Sequence, residues 1–275
     1  MMGRRIEVIA FDTTYYPFAF ASCAFFLCIY KYVSPSLSLR MCEGYRNMPL
    51  AKQIDWNTRV NSTLHSAIVS CMCVYSLVYD NEISEDPIWC DAPMVRTSCA
   101  ILFGYMASDL VVMTVHYKHI GETFYFFHHG ASMYAYYYVT TYGVLSYFAN
   151  YRLMAEFSTA FVNQRWFFDV LRYPKNSPLF IGNGLAMTAA FFLARIAVMP
   201  SYWSKVYSVY GTEDFARIGH IQGVLIVTCV ILDVMNIFWF YKMCLGVKKV
   251  LTILLKLNTP IEESRPAIPV EDKVK

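Results

Sequence analysis

Charge is scarce in this sequence, at 16% of 275 residues, and it nearly cancels to a net +3. No basic run is long enough to track a phosphate backbone, which excludes a nucleic-acid partner. No glycine-rich phosphate loop and no serine nucleophile elbow appear, which excludes those two common catalytic devices. Histidine is rare as well, with six in the chain. A histidine box would want another histidine three residues before His128-His129, and that position is Tyr125. Zinc needs three or four converging ligands, so no metal is expected, and no other cofactor. A clean small-residue cleavage site is missing after Arg4 and Arg5, so the first apolar run reads as a retained helix. The nine cysteines lie mostly in or beside apolar runs, which is not the pattern of a small disulfide framework.

What the chain has is apolar length. It is 57% hydrophobic with a mean hydropathy of +0.37. Its runs reach about 18–25 residues, long enough to cross a bilayer. The fold class is therefore an all-α integral membrane protein with about seven transmembrane helices. The expected spans are Tyr15–Val33, Thr58–Tyr79, Met94–Tyr117, Thr123–Thr141, Leu145–Gln164, Pro178–Met199 and Ala216–Tyr241. Gly143 marks a tight turn between the fourth and fifth, and Pro200 is expected to close the sixth. Residues 1–53 read as an N-terminal helix and linker, 54–246 as one membrane domain, and 247–275 as a largely disordered tail.

Lysine and arginine in short loops set orientation. Lys31, Arg40, Arg46, Lys52, Lys118, Arg172, Lys175, Lys242, Lys248 and Lys249 collect at one end. Arg4, Arg5, Arg96, Lys205 and Arg217 collect at the other. The first end is expected in the cytosol and the N-terminus in the lumen.

Ionisable groups inside apolar spans are costly and are kept where they pair, line a cavity or work. Counted from the cytosolic end at 1.5 Å per residue, His65 lies about 10 Å deep, Asp109 and Glu156 about 12 Å, His128 and His129 about 8–10 Å, and Asp233 about 12–14 Å. One depth on five spans points to one polar chamber. Arg152, Glu156, Thr159 and Asn163 share one helical face, and Ser132 stands one turn after His128. Adjacent helical residues diverge by about 100°, so His128 is expected to face the chamber and His129 to pack. Arg195 is expected to snorkel near the lumenal end, and Asn57, Asn61 and His65 to form a buried polar stripe.

Several stretches, Ile54-Asp55-Trp56-Asn57-Thr58-Arg59, Phe148-Ala149-Asn150-Tyr151-Arg152-Leu153-Met154-Ala155-Glu156, Phe161 to Phe168, Tyr207 to Glu213 and Asp233 to Asn236, resemble the TLC (TRAM–Lag–CLN homology) domain family. The resemblance implies an endoplasmic-reticulum membrane protein of lipid homeostasis. It implies that the second to seventh spans form a six-helix barrel around a lipid tunnel, with His128 and His129 as the paired histidines. The ceramide synthases of that family add a His-Asp pair and another Asp, where this chain has Ala155-Glu156 and Thr159. The scaffold is kept and the full catalytic set is not. The expected function is thus a lipid-binding chamber, with His65, Asp109, Ser132, Arg152, Glu156, Asn163 and Asp233 around the lipid. The alternative is an acyltransferase in which His128 or His129 takes an acyl group from acyl-CoA. The expected partner is a membrane lipid or fatty acyl chain; the sequence names no protein partner.

Overall fold

The structure is a computed structural model, and it describes residues 4–5, 8–121 and 123–258. Of the tail expected to be largely disordered, residues 247–258 are helical, continuing the helix that ends at Asn258, and 259–275 lie outside the described residues.

The long helices are α1 (Tyr16–Met41), α2 (Leu50–Tyr79), α3 (Pro93–Val115), α4 (Thr123–Tyr142), α6 (Pro178–Val209) and α7 (Ile221–Asn258). Between α4 and α6 lies α5. It begins as Ser146–Leu153, tightens to a 3₁₀ turn over Met154–Ser158, and resumes as Thr159–Val170. Among the described residues, the helices long and apolar enough to cross a membrane are α1, α2, α3, α6 and α7. Helix α4 is too rich in tyrosine, threonine and histidine for that test, and α5 carries Arg152, Glu156, Arg165 and Asp169.

Two internal prolines explain how α1 and α6 run further than expected. Proline lacks an N–H and crowds the carbonyl four residues back. Ahead of Pro35 the chain widens to a π turn at Ile29–Val33, where the Ser34 N–H reaches the Ile29 carbonyl. Ahead of Pro200 the same widening covers Phe192–Ile196, and the Ala197 N–H donates to the Phe192 carbonyl at 2.8 Å. Each bulge absorbs the proline, so Pro200 does not end α6, which continues to Val209.

Helix α2 packs on α3, α3 on α4, α4 on α7, α7 on α6, α6 on α5, and α5 back on α2. Helix α1 lies outside this ring against α3. The contact is close because Gly104 has no side chain: a Cβ there would sit 2.2 Å from the Ala19 carbonyl oxygen. Gly143, at φ 70°, turns the chain from α4 into α5. A two-residue antiparallel ladder joins Arg4–Arg5 to Cys90–Asp91 at the far end.

The stripe Asn57, Asn61 and His65 is buried in packing. Asn57 accepts from Ser34 Oγ at 2.7 Å and donates to Tyr45 at 3.0 Å. Asn61 donates to the Phe26 carbonyl at 2.8 Å.

Candidate functional site

Inside the ring, a cavity of about 270 Å³ opens at the end formed by the start of α2, the end of α3, the start of α4 and the last turns of α5. Asp109, His128, His129, Glu156, Thr159 and Asn163 line it, together with Arg59, Tyr105, Arg195 and Trp239. Two smaller cavities, each about 40 Å³, continue from it. The first shares Met106, His128, Glu156 and Arg195 with the large one and adds Ser132 and Arg152. The second shares Tyr136, Arg152, Tyr202 and Leu232 with the first and is walled mainly by Val139, Leu145, Phe148, Leu225 and Cys229. The lining therefore stays polar through the first two cavities and turns apolar in the last.

The two histidines diverge but meet the same cavity, because it is wide enough to lie between two helices. His129 turns toward α3, where its Nδ1 stands 3.5 Å from Asp109 Oδ2. His128 turns toward α7, edge-on to Trp239 with ring centroids 5.3 Å apart. Its Nδ1 is buried without a hydrogen-bond partner among the described residues. The expected split, with one histidine in the cavity and one packed away, is not what the side chains do.

Two other expected members sit outside the cavity lining. His65 is 1% exposed and lies behind Tyr105, its ring stacked on the phenol at 4.0 Å and 10°. Its Nδ1 is 3.7 Å from Glu156 Oε2. Asp233 is held by both guanidinium nitrogens of Arg152 and by Trp203 Nε1 at 2.7 Å. Arg152 therefore pairs across helices with Asp233, rather than with Glu156 one turn away on its own helix. Its guanidinium also stacks on Tyr202 at 3.9 Å. That arrangement stands where the two small cavities meet. Asn163 is occupied with α2: it accepts from Arg59 at 3.3 Å and donates to Thr63 at 3.1 Å.

Arg195 was expected at the surface and is at the site. Helix α6 runs 32 residues, so Arg195 lies near its middle. Its Nε donates to Ser158 Oγ at 2.9 Å, and its terminal nitrogens donate to Asn236 at 3.1 Å and Thr159 at 3.4 Å. The π turn on α6 carries Arg195, and the 3₁₀ turn on α5 carries Glu156 and Ser158; the two irregular turns face each other. Irregular turns inside helices often mark function. The usable sequence signal was a lone arginine in an apolar run five residues before a proline. Arg59, Tyr105 and Trp239 carried no comparable signal.

Chemically, a carboxylate beside one imidazole nitrogen fixes the tautomer and leaves the other nitrogen as a base or nucleophile. His129 and Asp109 stand close to that form, at 3.5 Å, although His129 Nδ1 makes no hydrogen bond among the described residues. No cluster of three His, Cys, Asp or Glu side chains able to hold a metal occurs among the described residues.

The family model of the TLC domain matches residues 55–245. TLC domain-containing protein 4-B of Danio rerio is 47% identical over 233 residues, covering 84% of this chain and 87% of that protein. TLC domain-containing protein 4 of Homo sapiens is 42% identical over 228 residues, covering 82% and 87%. TLC domain-containing protein 4 A of Dictyostelium discoideum is 24% identical over 249 residues, covering 86% and 90%. No solved structure matches the chain significantly. With its apolar helices and these matches it is an integral, multi-pass membrane protein, and the chain belongs to the TLC domain family.

Proposed function

We propose that this protein serves lipid homeostasis in the endoplasmic-reticulum membrane, with the ring of α2 to α7 acting as a barrel that receives a membrane lipid or fatty acyl chain. Residues 54–246 would be the membrane domain, with 1–53 and 247–275 as appendages. The observation that carries the reading is a path that is polar through its first two cavities and apolar in the last. Ionisable groups gather around a wide opening inside an apolar bundle, and the walls turn apolar further in. An amphiphile has the same polarity profile. A hydrophobic pocket with few convergent polar groups is the usual form of a small-molecule site.

The test is lipid retention. Protein extracted in a membrane-preserving polymer should carry a lipid species enriched over bulk membrane. Asp109→Asn and Glu156→Gln should deplete it. Bulk composition in the wild type would reject the chamber.

The chamber opens on the lysine- and arginine-rich end, which the charge bias assigns to the cytosol. A cysteine at exposed Glu85 should then be labelled only from the lumenal side of vesicles; labelling from the cytosol would reverse the orientation.

One observation favours a second reading, acyl transfer. His129, oriented by Asp109, would attack the thioester carbonyl of an acyl-CoA. A C–N bond forms, the C–S bond breaks, and coenzyme A leaves as the thiol. An acceptor hydroxyl or amine would then take the acyl group and free the imidazole. Single-turnover incubation with a radiolabelled acyl-CoA should label wild type and spare His129→Ala. Absence of label in the wild type would eliminate this reading and leave the chamber intact.

A further inference from the structure

The buried arginines of this bundle differ in one respect. Arg152 has Asp233, and Arg96 has Asp12 and Asp91, as direct ion partners. Arg195 has no carboxylate within 4.0 Å among the described residues. Its three hydrogen bonds go to neutral oxygens, on Ser158, Thr159 and Asn236. The nearby acid, Glu156, acts on it through space and through Thr159, whose hydroxyl donates to Glu156 Oε2 at 3.1 Å, but is not in contact with it.

A guanidinium has five N–H donors, so two remain unused by these bonds. Arg195 lines both the large cavity and the first small one, where the two join. A cation in a membrane interior without a counter-ion is costly. Here the cost is met by a built cradle of hydroxyl and amide acceptors, which holds the guanidinium in place without neutralising it.

We propose that Arg195 is the anchor for the anionic head of an amphiphile, a carboxylate or a phosphate, at the junction of the two cavities. This rests on the lipid-chamber reading and narrows its ligand to an acid. Arginine suits the task because its fork matches planar or tetrahedral oxyanions with two parallel bonds. The head supplies the ion partner in direct contact that Glu156 does not, and the two idle N–H groups become donors to it.

The test is equilibrium binding to the full chain in neutral-lipid nanodiscs. The probes are oleate, oleoyl lysophosphatidate and uncharged mono-oleoylglycerol. Wild type should bind at least one acid about tenfold or more tightly than the uncharged probe, the scale of a charge-assisted hydrogen bond. The arm that wins assigns the head as carboxylate or phosphate. Arg195→Gln should erase the difference between acid and neutral probe, and Arg195→Lys should keep part of it. Equal wild-type affinity for all three overturns the anchor while the chamber stands. Failure of wild type to bind any of them overturns both. If Arg195→Gln does not fold, Arg195→Lys decides: an acid preference undiminished from wild type overturns the anchor, and a reduced one supports it.

Discussion

The two ends of the bundle use the same residue types to opposite ends. At the end holding Arg4–Arg5, Arg5 and Arg96 are each met by two carboxylates. Arg96, 3% exposed, binds Asp12 at 2.8 Å, Asp91 at 3.2 Å and the Thr140 carbonyl at 2.7 Å, and lies over the Tyr15 ring at 4.2 Å. Arg5 bridges Asp86 and Asp214, and Trp89 Nε1 donates to the Asp214 carbonyl. Burial, then the carboxylates around it, push the Cys90 thiol up to about 12, so it stays protonated and inert. At the open end the groups are held without direct partners: among the described residues Arg195 has no carboxylate within 4.0 Å and His128 Nδ1 has no hydrogen-bond partner. Satisfied polar networks fix a fold, whereas unsatisfied ones need a functional explanation. The first end reads as a clasp and the second as a site.

The contrast breaks most sharply at Arg96. Arg96→Ala should destabilise the protein by about 3–5 kcal/mol, because it strands two carboxylates in a partly buried network. Thermal unfolding in detergent would show the loss, and an unchanged midpoint would mean the clasp is ornamental. Asp233→Ala should cost about 3 kcal/mol by leaving Arg152 buried and unpaired, read the same way. Gly104→Ala should cost about 1–3 kcal/mol, since the added carbon overlaps α1 and forces the helices apart.

The open end should respond the other way. His129→Ala and Asp109→Asn should each change stability by less than about 1 kcal/mol while depleting bound lipid, because little packing depends on them. A collapse of the fold equal to that of Arg96→Ala would erase the distinction between clasp and site.

The smallest effect concerns acid. Burial alone would raise Asp12, but hydrogen bonds from Thr14 and Arg96 and the guanidinium charge outweigh it, holding the carboxyl below its ordinary 3.8. A group lowered on folding contributes stability fully above its unfolded pKa and loses it as pH falls through the folded one. The Asp12 contribution should therefore be constant from neutral pH to above 3.8 and vanish below it. Comparing the acid limb of the unfolding midpoint in wild type and Asp12→Asn would isolate it.

Much of this was legible in the residues. The apolar runs marked the helices, since a bilayer tolerates nothing else at that length. Histidines and acids inside those runs marked where polar chemistry must gather, and the family stretches marked the ring. Depth along a helix can be counted from sequence, and Asp109, His128, His129 and Glu156 do meet at one level.

Which groups at that level face each other is a matter of rotation and partner, and neither is written locally. Arg152 had Glu156 one turn away and chose Asp233 across the bundle, because only packing brought α7 alongside. Asp233 was thereby withdrawn from the cavity, and His65 was walled off by Tyr105. Arg195 was misplaced because a proline usually ends a helix, and only the bundle shows that a π turn absorbs Pro200. Local sequence thus determined that polar groups lie at one depth in an apolar chain, through the cost of charge in lipid. Tertiary structure decided which of them cancel and which remain open, because pairing depends on distances between helices far apart in sequence.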